Sequence, residues 1–255
     1  MMQTWEQSGY VFPIEVLSKQ EVTRYRSLFD ELEAKEGRDR AQTGLLDWHR
    51  RVRFIWDLAT HPICLASIEQ IIGPNILLLA TQFFCKYPQP LAGDRFVDWH
   101  QDVTYWGLEP PLAITAWLAI DDSDVDNGCM RAICGSHRKG LVNHGKSDRD
   151  GNLLSINQAI AEDLVDEAAA VDVILKAGQM SLHHGHMIHS SRTNRSNRRR
   201  CGLVVRYIPT NVRQVKPHSL GQYYQPVLVH GVDLYQHFPP TRPPFHNKDA
   251  EGTRT

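Results

Sequence analysis

Val171-Asp172-Val173-Ile174-Leu175-Lys176-Ala177-Gly178-Gln179-Met180-Ser181-Leu182-His183-His184 is the stretch on which the reading of the fold turns. Two runs of strand length, Val171–Leu175 and Met180–His184, flank a short polar link that contains a glycine. That pattern predicts a β-hairpin. The same texture recurs outward in both directions. Ile76–Lys86 and Leu112–Ile120 are β-branched and aromatic runs, and Cys201–Ile208 is another. Asn127-Gly128 falls between Ala113–Ile120 and Cys129–Cys134, where a turn would pair those two segments. Several short strands with turn punctuation predict a mainly β fold with flanking helices. An antiparallel barrel or a double-sheet jelly roll fits best.

Helices are legible only toward the N-terminus. Ser18-Lys19-Gln20-Glu21 has the form of a capping box, and Val22, Tyr25, Phe29 and Leu32 then recur at helical spacing. A second helix should run from His61 to Ile72 and stop at Gly73-Pro74. The expected organisation is one domain over 1–255, with helices over about 18–73, a jelly-roll core over about 75–210 and an extended or disordered proline-rich tail from 239. Gly145–Gln158 reads as a loop or lid, and a short helix is expected over Ile160–Ala169. No internal repeat is visible.

The chain has 255 residues, 28 basic against 29 acidic, 42% hydrophobic and 22% charged. Balanced charge argues against a general nucleic-acid binder. The longest apolar run, Ile76–Ala80, is too short to span a bilayer, and the N-terminus lacks the pattern of a signal peptide. Five cysteines in no zinc-finger spacing suit reduced thiols, hence a cytoplasmic protein. Cys129 and Cys134 read as buried small residues.

Thirteen histidines are many, and four of them, His183, His184, His186 and His189, crowd into one segment. Upstream lies Asp98-Trp99-His100-Gln101-Asp102. His100 and Asp102 would share one face of a strand and could bind one metal as adjacent ligands. A lone His-x-Asp is expected by chance in a chain this rich in histidine, so its weight comes from its surroundings. Two histidines and a carboxylate on one face of an octahedron leave three positions open, as in non-haem Fe(II) oxygenases. On residue type alone, any of the four clustered histidines could be the third ligand.

A family resemblance beyond the cluster narrows the choice. His189-Ser-Ser-Arg-Thr-Asn-Arg-Ser-Asn-Arg-Arg-Arg200 resembles the corresponding segment of the phytanoyl-CoA hydroxylase family of Fe(II)/2-oxoglutarate dioxygenases. In that family a distal histidine is followed eleven residues later by the arginine that holds 2-oxoglutarate. Asp121-Asp122 through Asn127-Gly128-Cys129-Met130-Arg131, then Gly135-Ser136-His137-Arg138, is similar to the family's stretch between its ligand segments. Gly9-Tyr10-Val11 resembles its usual start. The resemblance covers about residues 8–210.

The resemblance implies His100, Asp102 and His189 as ligands of Fe(II), with 2-oxoglutarate and O2 as cosubstrates. It also implies Arg200, Ser191, Gln82 and Trp117 as contacts of 2-oxoglutarate. A planar guanidinium suits the far carboxylate of that molecule. Related halogenases carry a small residue where Asp102 stands, so the carboxylate implies oxygenation rather than halogenation. Tyr105 and Trp106 would wall a substrate pocket, and Lys86 and Arg206 would present cations to it. The implied substrate is a small polar, anionic or zwitterionic metabolite: a phosphonate, an amino acid or a natural-product intermediate. Arg198 and Arg199 read as surface charges, His137 and His144 as structural or solvent-facing, and His183 as a core residue or a ligand's neighbour. Two other classes compete: a non-catalytic cupin-like metal-binding module, and a zinc hydrolase on the same ligands. A non-catalytic barrel would have no use for Arg200 and Ser191. Nothing in the sequence speaks to oligomeric state.

Overall fold

Ser18 opens the longest helix as its spacing predicts. Its hydroxyl accepts from the Glu21 amide while the Glu21 carboxylate accepts from the Ser18 amide at 2.8 Å. In the computed structural model, which describes residues 2–245, five main helices precede or flank the first core strand. These are α1 (Met2–Ser8), α2 (Lys19–Glu36), α3 (Arg38–Thr43), α4 (Arg53–Ala59) and α5 (Pro62–Ile72). Tyr25, Phe29 and Leu32 of α2 are buried as expected, and Val22 is half-buried. His61 caps α5 and Gly73 ends it. The sequence reading missed α1, α3 and α4. They are six or seven residues long, and such lengths hold only when tertiary packing supports them.

The strands in chain order are β1 (Tyr10–Glu15), β2 (Ile76–Lys86), β3 (Val97–His100), β4 (Leu108–Glu109), β5 (Ile114–Ala119), β6 (Met130–Ile133) and β7 (His144–Lys146). They continue with β8 (Gln158–Ile160), β9 (Ala170–Val173), β10 (Gln179–His184), β11 (His189–Ser191), β12 (Arg200–Pro209), β13 (Arg213–Gln214) and β14 (Val227–His230). All pairings between them are antiparallel. A six-stranded sheet has the order β1-β10-β5-β12-β2-β14, and a four-stranded sheet has the order β3-β11-β6-β9.

Neither expected hairpin forms. β9 pairs with β6, opposing Val173 to Met130, whereas β10 pairs with β1 and β5 in the other sheet. Lys176–Gln179 therefore turns a corner between sheets. The Asn127-Gly128 turn does the same between β5 and β6. Turn residues dictate that the chain reverses, but not which strand it then meets. Gly128 is required at its corner: at φ +76° its missing Cβ would lie 2.3 Å from the Arg192 carbonyl oxygen.

Of two further expectations, the loop holds and the helix changes. Gly145–Gln158 is mostly the connection within a small ribbon that pairs β7 with β8. In place of a helix over 160–169 there are two 3-10 turns, Glu162–Leu164 and Glu167–Ala169. Of the proline-rich tail, 239–245 carry no helix or strand, and 246–255 lie outside the described residues.

The period of two divides the central strands between two environments. Phe83 and Cys85 of β2, with Cys201, Leu203, Val205 and Tyr207 of β12, join the largest apolar cluster, which α2, α4 and α5 cover. The alternate residues, Gln82 and Phe84 with Arg200, Val204 and Arg206, line a cavity on the opposite face.

Candidate metal centre and adjoining cavity

β3 and β11 are neighbours, and His100 and His189 oppose each other directly across the pair. Their rings lie 4.1 Å apart between centroids. Asp102 follows the end of β3 and opens a 3-10 turn, Asp102–Tyr105, so it is not on the strand as the two-residue spacing suggested. Its carboxylate nevertheless converges on the two rings. One ligand atom from each of His100, Asp102 and His189 lies within 4.8 Å of the others, and all three residues are buried. His184 and His186 point elsewhere: His184 packs beside Trp5 and His137.

The outer contacts orient each group toward a common centre. His100 Nδ1 meets the Asp98 carbonyl at 2.8 Å, and His189 Nδ1 meets the Met187 carbonyl at 2.9 Å. A carbonyl can only accept, so each ring carries a proton on Nδ1 and turns Nε2 toward the centre. Burial, with His100 and His183 nearby, lowers the His189 pKa well below the usual value and keeps the ring neutral. Burial acts to raise the Asp102 pKa. Contacts with His100 and His183 outweigh it and hold the carboxyl well below the ordinary range, so it is ionised.

One Asp102 oxygen is clamped from the opposite sheet. Thr115 Oγ1 donates to Oδ2 at 2.7 Å, and His183 Nε2 lies 3.2 Å from the same atom. Thr115 on β5 and His183 on β10 are register partners, so one cross-strand pair supplies both contacts. Oδ1, 3.6 Å from His100 Nε2 and 4.0 Å from His189 Nε2, is left facing the centre. Sequence reasoning placed His183 near a ligand but missed Thr115, because nothing local marks a hydroxyl that acts across the fold. Gln101, between His100 and Asp102, was also missed. Its amide donates to the Gly140 and His186 carbonyls, each at 2.7 Å, and ties the ligand turn to the surrounding loops.

The cavity beside this cluster encloses about 840 Å³, mouth included. Arg200 reaches it from the first position of β12. It is only 2% exposed, its Nε has no hydrogen-bond partner, and no carboxylate pairs with it among the described residues. Its guanidinium lies 5.2 Å from the Trp117 ring centroid. Trp117 in turn lies across Gly202, where a Cβ would meet the ring at 2.1 Å. Ser191 lines the same end.

Lys86, expected as a cation presented to substrate, is fully buried and does not line the cavity. Its Nζ lies 2.6 Å from the Ser191 hydroxyl and 3.0 Å from the Ser191 carbonyl, and it also reaches the Arg192 carbonyl. Burial first, and the Arg200 charge second, lower its pKa well below the usual value. The strand period correctly turned Lys86 inward, but to the closed end, where backbone carbonyls take it.

The other expected residues surround the mouth. Tyr105, Trp106 and Arg206 line it, with Gln82 beside Arg206. Gln82 Nε2 is committed to the Thr43 carbonyl at 2.8 Å. Leu154 and Ser155, from the segment expected as a loop or lid, and Ser219 complete the rim. Arg198 is an exposed charge paired with Asp124. Arg199 is not a simple surface charge, since it joins Asp30, Glu33 and Asp121 beneath α2. Cys134 is exposed rather than buried.

Comparison with known proteins identifies the architecture. The family model described as phytanoyl-CoA dioxygenase (PhyH) matches residues 5–202. The chain belongs to the phytanoyl-CoA dioxygenase family. It is accordingly an Fe(II)/2-oxoglutarate-dependent oxygenase acting on small molecules, with O2 as the second cosubstrate. The peroxisomal phytanoyl-CoA dioxygenase of Rattus norvegicus is 22% identical over 238 residues, which cover 86% of this chain and 70% of that enzyme. The chain spans 62% of the length of the human counterpart. Among solved structures, the apo form of ThoJ, a non-heme monooxygenase, superposes with a TM-score of 0.76 at 28% identity, covering 94% of this chain and 86% of that one. CytC3 gives 0.68 at 25% identity, covering 94% and 91%, and its fold has also been solved with Fe(II) and alpha-ketoglutarate.

The residues present fit the family's cofactors. Two imidazoles and an ionised carboxylate on one side of a buried centre are the donor set suited to Fe(II) with open positions. The buried, unpaired Arg200 fits an anionic cosubstrate beside it. No helix among the described residues is long and apolar enough to cross a membrane.

Proposed function

We propose that this oxygenase hydroxylates an unactivated C–H bond of a small polar, anionic or zwitterionic metabolite, with release of succinate and CO2. The carrying observation is the buried His100–Asp102–His189 cluster in one cavity with Arg200, a buried guanidinium that has no carboxylate partner. In this reading Fe(II) is held by His100 Nε2, Asp102 Oδ1 and His189 Nε2, and when bound it supplies the activation of O2. Arg200 receives the far carboxylate of 2-oxoglutarate, Ser191 adds a hydroxyl beside it, and Trp117 fixes the guanidinium plane. Gln82 lies farther along the same wall, toward Arg206. Tyr105 and Trp106 shield the reacting end from water. Asp102 occupies the position that a halide would need, which supports hydroxylation.

The cavity takes its walls from both sheets, which supports a double-stranded β-helix closing around it, within one dioxygenase domain. The five cysteines are free thiols, which supports a cytoplasmic setting. The test is succinate formation from 2-oxoglutarate with Fe(II) and O2 by the wild type, by His189→Ala and by His186→Ala. Loss in the first variant and retention in the second support the ligand set. Hydrolysis sustained by Zn(II) without 2-oxoglutarate would establish the hydrolase alternative instead.

A further inference from the structure

Arg206 is the second guanidinium that faces the cavity. No carboxylate forms an ion pair with it among the described residues, and its Nε is buried with no hydrogen-bond partner. Its nearest polar neighbour, Gln82 Oε1, stands 3.5 Å from both terminal nitrogens, too long for a strong bond. The Trp106 ring lies 5.2 Å from its guanidinium carbon and fixes its plane. Arg206 is thus oriented and partly desolvated; Asp102 and Asp47 sense its charge without pairing with it, and burial pushes the Asp47 pKa up, toward the neutral acid.

Its position ties it to the reacting centre. Arg206 on β12 is the register partner of Thr115 on β5, the residue that clamps Asp102. Adjacent strands lie about 5 Å apart, and the Asp102 carboxyl itself senses the Arg206 charge, so an anion held on Arg206 stays on the side of the cavity that carries the cluster.

Charge defines what that anion is. The ionised side chains lining the cavity are Asp102, Arg200 and Arg206, a net single positive charge. Doubly charged Fe(II) and doubly negative 2-oxoglutarate cancel each other and leave that excess in place. One more negative charge neutralises the cavity. A phosphonate dianion would exceed it. A free amino acid would bring an ammonium group for which the cavity offers no carboxylate other than Asp102, already committed to the metal.

We propose that Arg206 anchors the carboxylate of the primary substrate, which is a monocarboxylic acid without a free ammonium group, oxidised within a few carbons of that carboxylate. This rests on the Fe(II)/2-oxoglutarate reading above and narrows it. A planar carboxylate matches the guanidinium fork, and the Tyr105 and Trp106 rings give an apolar wall for the body of the acid.

The test uses wild-type protein loaded anaerobically with Fe(II) and 2-oxoglutarate, whose charge-transfer band is itself the control on that reading. The band is followed while short aliphatic and aryl monocarboxylates are added, each against its neutral amide, its phosphonate analogue and its α-amino acid. At least one acid should perturb the band with an affinity at least about tenfold above its amide, phosphonate and amino-acid counterparts. Arg206→Gln should form the same band and lose that preference, and Arg206→Lys should recover only part of it. Absence of the band in the wild type overturns the cofactor reading. A normal band overturns the Arg206 proposal in any of three cases: no acid outperforms its amide, an amino acid or phosphonate binds best, or Arg206→Gln keeps the preference.

Discussion

Thr115→Val removes one hydroxyl and almost no volume, which makes it a sharp test of how the metal site is held. The side chain is 1% exposed and donates to Asp102 Oδ2 at 2.7 Å. A hydrogen bond to a charged acceptor contributes about 1.5–3 kcal/mol. His183 keeps its own contact with the same oxygen, so the lower end applies, and Fe(II) affinity should fall about tenfold. With Oδ2 held by His183 alone, the carboxylate rotates more easily, which loosens the single-oxygen geometry that Oδ1 supplies. Anaerobic titration of the metal-free protein with Fe(II), in competition with a chelator of known affinity, measures the loss. Thr115→Ser restores the hydroxyl and should recover most of the affinity. A folded Thr115→Val protein that binds Fe(II) within about threefold of the wild type would show that the clamp does not orient the ligand.

Arg200→Lys keeps the charge but loses the planar fork, so 2-oxoglutarate affinity should fall about tenfold, ~1.4 kcal/mol, by calorimetric titration of the metal-loaded protein. Arg198→Lys, at an exposed pair with Asp124, should leave that affinity unchanged. Gly202→Ala drives a methyl group into the Trp117 ring at 2.1 Å and should cost about 1–3 kcal/mol in thermal or urea unfolding, with weaker 2-oxoglutarate binding as Trp117 leaves Arg200. Burial lowers the His184 pKa from 6.5 to about 4, with His186 and His137 adding to it. Between those values the unfolded chain binds a proton that the folded chain refuses, so stability should fall as pH drops through that window. The whole effect is at most ~3 kcal/mol, seen in urea midpoints from pH 7 to 4, and His184→Gln should flatten the slope.

The sequence by itself determined what neighbouring residues control. Ser18 and Glu21 cap α2, and Gly73 ends α5, because caps act within a single turn. The extents of β2, β10 and β12 were legible because β-branched and aromatic residues at a period of two fit a pleated surface whatever its partner. The same period placed Gln82, Arg200 and Arg206 on one face, and the resemblance to the family's distal motif singled out His189 from its neighbours. Only the tertiary structure decided which strands meet. Both expected hairpins became corners between sheets, since a turn specifies reversal while burial of apolar faces selects the partner. It also decided that Lys86 is sealed behind Ser191, that Arg199 joins a buried ion network under α2, and that Thr115 and His183 clamp Asp102. Those contacts join residues 13 to 166 positions apart, a range over which no local pattern records which side chains will meet.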